Sequence, residues 1–132
     1  MSFQSLGLKP ELLRAVTEHG YTIPTPVQMR AIPEILARRD LLAGAQTGTG
    51  KTAGFTLPIL QLITAPGVPQ SRTPRVLVLV PTRELAAQVA ESVKTSGKYV
   101  PVSVTCVFGG VGFNPHADSL RNPVLPADRD RA

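Results

Sequence analysis

Apolar residues recur at helical spacing early in the chain and cluster into unbroken runs further on. Residues 9–18 read as a helix: Pro10 suits the first helical position, Leu12, Leu13 and Val16 share a face, and Gly20 ends it. Thr25-Pro26 opens a second helix as N-cap and first residue. Val27, Ala31, Ile35 and Leu36 form its apolar face, and Pro33 is expected to kink or divide it. Leu41-Leu42-Ala43-Gly44-Ala45 reads as a short buried strand, followed by a polar, glycine-rich turn. Residues 51–64 are apolar on most faces, which predicts a mostly buried helix despite Pro58. Residues 65–74 hold three prolines and a glycine and read as a surface loop.

Val76-Leu77-Val78-Leu79-Val80 has the continuous, β-branched character of a strand covered on both faces. Leu85, Val89 and Val93 recur on a helix that closes near Gly97, and residues 102–107 read as a further strand before Gly109-Gly110. Strand, helix, strand, helix, strand in this order predicts an α/β fold built on a right-handed parallel sheet flanked by helices. After Arg121 the periodicity stops, and the chain shows no internal repeat.

Composition narrows the class. With 132 residues, 42% of them hydrophobic, the chain suits one small domain and is too apolar for wholesale disorder. No apolar stretch approaches the roughly 20 residues that a membrane span needs, and the N-terminus lacks the basic start and apolar core of a secretory signal. The single cysteine, Cys106, fits a reducing compartment, so a cytoplasmic protein is expected. Cys106 reads as a small buried strand residue, and His19 sits where a cation suits a helix C-terminus. Two scattered histidines and that cysteine offer no metal-site spacing. The net charge is +5, and the residues from Asn114 onward sum to zero. The excess therefore lies upstream, and the stretch between Asp40 and Glu84 has no acidic residue while holding Lys51, Arg72, Arg75 and Arg83. Such a stretch suits an anionic ligand, or is a solvated basic face.

The sharpest chemistry is Ala45-Gln46-Thr47-Gly48-Thr49-Gly50-Lys51-Thr52, placed after an apolar run and opening a helix. Glycines let successive backbone N–H groups converge on phosphate oxygens, and the helix N-terminus favours negative charge. Lys51 would then reach the outer phosphates and Thr52 would place its hydroxyl on Mg²⁺. Ala45 stands where the general phosphate-loop pattern has glycine. The alternative is an ordinary glycine-rich turn with a solvated lysine.

Together with other segments, this loop resembles the N-terminal part of bacterial DEAD-box ATP-dependent RNA helicases. Gly20-Tyr21-Thr22-Ile23-Pro24-Thr25-Pro26-Val27-Gln28 is similar to the adenine-sensing Q motif of that family, with Phe3 lying 17 residues before Gly20. Ala45 to Thr52 matches the family's own phosphate loop, alanine included; Pro81-Thr82-Arg83-Glu84-Leu85-Ala86-Ala87-Gln88 matches its motif Ia, and Gly109-Gly110 its glycine pair. The resemblance covers residues 1–121 and implies a partial, RecA-like first helicase domain, with residues 122–132 as a divergent, disordered tail. It implies ATP and Mg²⁺ as cofactors and RNA as a partner, bound through its backbone irrespective of sequence. Gln28 would pair with the adenine edge, where an amide both donates and accepts, while Phe3 and Tyr21 would pack on the base or support the Gln28 segment. Lys51 and Thr52 would carry the family's catalytic roles. Pro81, Thr82, Arg83, Glu84, Gly109 and Gly110 would hold RNA phosphates. The blander alternatives are a surface glutamine at Gln28 and, at Pro81 to Glu84, a capped helix start.

The 132 residues contain no Asp-Glu-Ala-Asp and no Ser-Ala-Thr motif. Asp128-Arg129-Asp130 is no substitute, because Asn122-Pro123-Val124-Leu125-Pro126 cannot form the buried strand that would have to precede it. Phosphoryl transfer needs metal, positioned water and positive charge together, so the expectation is a truncated helicase that binds ATP weakly without hydrolysing it appreciably. Exposed sheet edges would then favour self-association. A non-catalytic RNA-binding or protein-interaction module is the alternative, and a kinase or GTPase is weakened by the lack of an acceptor-site or guanine-reading signature.

Overall fold

The computed structural model describes residues 2–44, 50–67 and 73–107. A 3₁₀ turn, Phe3–Leu6, precedes four helices: α1 (Pro10–Glu18), α2 (Pro26–Leu36), α3 (Lys51–Ile63) and α4 (Arg83–Ser96). The helical part of the expected pattern is present at nearly the expected limits. Pro10 is in the first turn of α1, whose Leu12 and Val16 are buried. The chain leaves α1 through Gly20 at φ 89°, with Gly20 N–H donating to the Thr17 carbonyl at 3.0 Å and Tyr21 N–H to that of Val16 at 3.1 Å. This paired closure needs a left-handed residue, which glycine supplies without steric cost.

Pro33 does not divide α2, which continues past it to Leu36. The proline removes one intrahelical bond, but it is exposed, and Ala37 N–H donates to its carbonyl at 3.0 Å. The capping of Thr25 and the burial of Ala31 and Ile32 hold the helix around it. Residue 38 continues the same logic with a less suitable side chain: Arg38 takes φ 62°, with its N–H bonded to the Ile35 carbonyl at 2.9 Å and Arg39 N–H to that of Glu34 at 3.2 Å.

Helix α3 is the central element. Ala53, Leu57 and Leu60 join Phe3, Leu6, Leu8, Leu12, Val16, Ile32 and Val100 in one core, and α2 and α4 both pack on α3. Gly97 closes α4; a Cβ there would lie 3.0 Å from the Val93 carbonyl, closer than side chains usually come, and in ordinary contact with Leu60 of α3 at 3.5 Å. A polar clasp ties the ends of α1 and α4 together: Tyr99 donates its hydroxyl to Glu18, Lys98 Nζ lies 3.4 Å and Arg14 Nε 3.5 Å from that carboxylate, and the Arg14 guanidinium stacks 4.1 Å over the Tyr99 ring.

The expected parallel sheet is not formed among the described residues. The runs at 41–44, 74–80 and 102–107 are there but are not paired as strands. The reason lies in what a parallel ladder requires: evenly spaced bonds to neighbours on both sides and cover on both faces. Here Leu77 and Leu79 are 81% and 84% exposed against 39% for Val76 and Val78. The run thus alternates as an extended chain does, with one row partly covered and the other bare.

Candidate functional site

The N-terminus of α3 and the segment entering α2 meet at one place. Thr25 is the N-cap of α2, and its Oγ1 accepts from Gln28 N–H at 3.3 Å, while the Gln28 Oε1 accepts from Thr25 N–H at 2.9 Å. This reciprocal box satisfies two donors that a helix start would otherwise leave open. Gln28 is 1% exposed, so it is not the surface glutamine that an isolated helix would carry. Its remaining amide group, Nε2, donates to the Gly50 carbonyl at 3.2 Å. One side chain therefore joins the cap of α2 to the residue that opens α3.

Gly50 is required there on two counts. Its φ is 84°, and a Cβ would collide with the Gln28 Nε2. Lys51 and Thr52 follow as the first residues of α3, Lys51 exposed and Thr52 half-buried. Among the described residues no side chain caps this helix start or that of α1, whereas Thr25 caps α2 and Thr82 caps α4. The first-turn N–H groups of a helix have no intrahelical partner and carry its positive end. An uncapped start, an exposed lysine and a neighbouring threonine hydroxyl are the donor set that a Mg²⁺-bound phosphate chain requires, and they fit that group.

Around this point the other expected residues fall into separate places. Phe3 is buried at 2%, so it supports its surroundings and offers no open face for a base. Its ring centroid is 6.4 Å from that of Tyr21, which is in turn 4.9 Å from His19. Tyr21 itself is 41% exposed. Pro81, Thr82, Arg83 and Glu84 are all exposed at the start of α4, where Thr82 Oγ1 accepts from Leu85 N–H at 3.1 Å and Glu84 sits in the first turn. The helix-cap reading of that segment therefore holds. Ala45, Gln46, Thr47, Gly48, Thr49, Gly109 and Gly110 lie outside the described residues. Cys106 is half-buried, its Sγ 3.6 Å from the Ala86 carbonyl.

Two features had no signal in the pattern of the chain. Thr56 Oγ1 is buried with no hydrogen-bond partner among the described residues, one helical turn beyond Thr52. Gln61 forms a long-range clamp to the N-terminal segment, taken up below.

A helix opened by a left-handed glycine followed by an exposed lysine is a geometry that nucleotide-binding proteins use to hold phosphate. A DEAD/DEAH box helicase family profile matches residues 25–127. The chain belongs to the DEAD/DEAH box helicases. It is 42% identical over 123 residues to the DEAD-box ATP-dependent RNA helicase RhpA of Helicobacter pylori, a match covering 92% of this chain and 24% of that relative. It is 44% identical over 121 residues to the ATP-dependent RNA helicase DeaD of Escherichia coli, covering 91% and 19%. Among solved structures, the RNA helicase Prp28 from Chaetomium thermophilum bound to ADP superposes with TM-score 0.79 at 38% identity, over 92% of this chain and 30% of that one. A DEAD box protein from Methanococcus jannaschii superposes with TM-score 0.83 at 32% identity, over 92% and 32%. The chain thus spans about a quarter of the length of the curated relatives it matches.

Proposed function

We propose that this chain is the adenine-nucleotide-binding part of an ATP-dependent RNA helicase, with part of its RNA-phosphate contacts, and that by itself it does not hydrolyse ATP. The observation that carries this reading is the Gln28 amide, buried between the Thr25 cap and the Gly50 carbonyl beside Lys51 and Thr52. ATP would bind with its phosphates on the first turn of α3 and on residues 45–49, Lys51 opposing their charge and Thr52 offering its hydroxyl to Mg²⁺. The metal, when bound, screens the phosphate charge. Gln28 would read the adenine edge, and in doing so would exchange one of its two internal partners for the base. Phe3 and Tyr21 would support that side of the site.

Thr82 and Arg83, with Pro81, Glu84 and the Gly109-Gly110 pair, would hold RNA through phosphates, an interaction that weakens with salt. Residues 1–121 would form the helicase part and 122–132 a divergent tail, into whose first residues, to 127, the family match extends. The runs at 41–44, 74–80 and 102–107 would pair as the parallel sheet of a RecA-like domain where further strands are supplied. Hydrolysis is not assigned, because the chain has no Asp-Glu-Ala-Asp run to place metal and water. A cytoplasmic location follows from the reading as an RNA helicase.

Titration calorimetry with Mg-ATP tests this. The expected result is saturable heat with the wild-type chain, none with Lys51→Ala, and weakened binding with less preference for ATP over GTP with Gln28→Ala. Absence of binding by folded wild-type protein, or binding indifferent to both substitutions, would overturn the reading.

A further inference from the structure

Gln61 lies three helical turns beyond Lys51 on α3, outside the four motifs that carry the family resemblance. Its side chain reaches back across more than fifty residues of sequence. Oε1 accepts from Lys9 N–H and Nε2 donates to the Gly7 carbonyl, each at 2.7 Å. A carbonyl and an N–H two residues apart are the pair that a neighbouring β-strand would engage; here one amide side chain engages both. Lys9 adds a second fastening, its Nζ donating to the Thr64 Oγ1 at 2.7 Å and carbonyl at 3.2 Å. Its charge therefore sits at the negative end of α3.

Between the two clamped residues, Leu8 is buried at 6% beside Leu6 and Phe3. The chain reverses at Gly7, φ 87°. The clamped segment thus carries Phe3, whose ring stands next to Tyr21 at the start of the segment that leads to Gln28. One rigid helix holds the phosphate-facing residues at its start and the fastening for the aromatic side near its end, roughly 15 Å away at 1.5 Å per residue.

We infer that Gln61 is a positioning residue for adenine recognition: by fixing Gly7 and Lys9 to α3, it sets Phe3 and Tyr21, and through them the Gln28 segment, relative to Lys51 and Thr52. The inference rests on the proposed nucleotide site and deepens it. It separates two contributions to affinity, because the phosphate contacts come from α3 itself while the base contacts depend on the clamp.

The experiment measures binding of Mg-ATP and of magnesium tripolyphosphate, which lacks the base, to the full chain and to Gln61→Met, which keeps the length of the side chain and removes both hydrogen bonds. The expected result is an ATP affinity about tenfold lower, the equivalent of losing about 1.4 kcal/mol, with tripolyphosphate affinity unchanged. Equal losses for both ligands would show a merely structural role, and no loss for either would show no role; each overturns the inference. If Gln61→Met does not fold, Gln61→Glu keeps the acceptor for Lys9 and removes the donor to Gly7. It should lower ATP affinity selectively, and an unselective or absent effect would sink the proposal. A wild-type chain that binds tripolyphosphate and ATP equally well overturns the base-reading site and this inference with it, whereas wild-type selectivity retained in both variants overturns the inference alone.

Discussion

Thr56 and Gln28 are both polar and both buried, yet their energetics are opposite. Gln28 has partners for both ends of its amide, so its burial costs little beyond ordering the side chain. Thr56 is 2% exposed, and its hydroxyl has no partner among the described residues. An unsatisfied buried hydroxyl is destabilising, and replacing it with a methyl of similar shape relieves that. Thr56→Val is accordingly expected to raise stability by about 1 kcal/mol, read as a higher urea midpoint with an unchanged slope. A lower midpoint would mean that the hydroxyl has a partner after all. The sequence marks Gln28 as a candidate through its place after the Thr-Pro cap. It does not mark the bond to Gly50, which joins residues 22 positions apart.

At the scale of elements, the fastening between α1 and α4 depends on one exposed carboxylate. Glu18 is held below the ordinary value of 4.5, first by the Tyr99 hydroxyl, against desolvation as the next largest effect, with Lys98 and Arg14 adding to the lowering. Lys98 is in turn raised above 10.5, chiefly by its hydrogen bond to Glu18. A carboxylate whose folded value is depressed contributes stability above its unfolded value, and that contribution disappears as the pH falls through the folded value. The lysine works in the other direction: its contribution is complete below 10.5 and is lost as the pH rises through its folded value. Tyr99→Phe should therefore lower the urea midpoint at pH 7 and show a smaller difference from wild type at a pH below the depressed value of Glu18, where the carboxylate is protonated. A difference that is the same at both pH values would mean that Tyr99 contributes by packing under Arg14 and not through the carboxylate.

Across the whole molecule, the extended runs carry large apolar side chains that stand exposed. Leu42 is 100% exposed, and Leu77 and Leu79 are above 80%. No helix among the described residues is long and apolar enough to cross a membrane. Bare apolar rows on extended chain favour association. Sedimentation velocity should show larger species as wild-type concentration rises, and the double variant Leu77→Lys, Leu79→Lys should remain the size of a single chain. A wild-type chain that stays monomeric throughout the range would refute this.

The four helices were legible in the order of residues because their causes are local. Side chains three and four apart share a face, Thr25 and Thr82 cap within one turn, and Gly20 supplies the left-handed exit. The phosphate-loop spacing is local in the same sense, ending at Gly50 and opening directly into α3. The β-like runs were equally visible as runs, but whether they pair depends on neighbours brought from elsewhere, and the described residues supply none. Local chemistry was thus enough to determine the helices and their ends. Only the packing of α2 on α3 decided that Gln28 is buried against Gly50, and only the return of the N-terminal segment onto α3 created the Gln61 clamp, because hydrogen bonds between distant residues exist only once the core has brought their helices together.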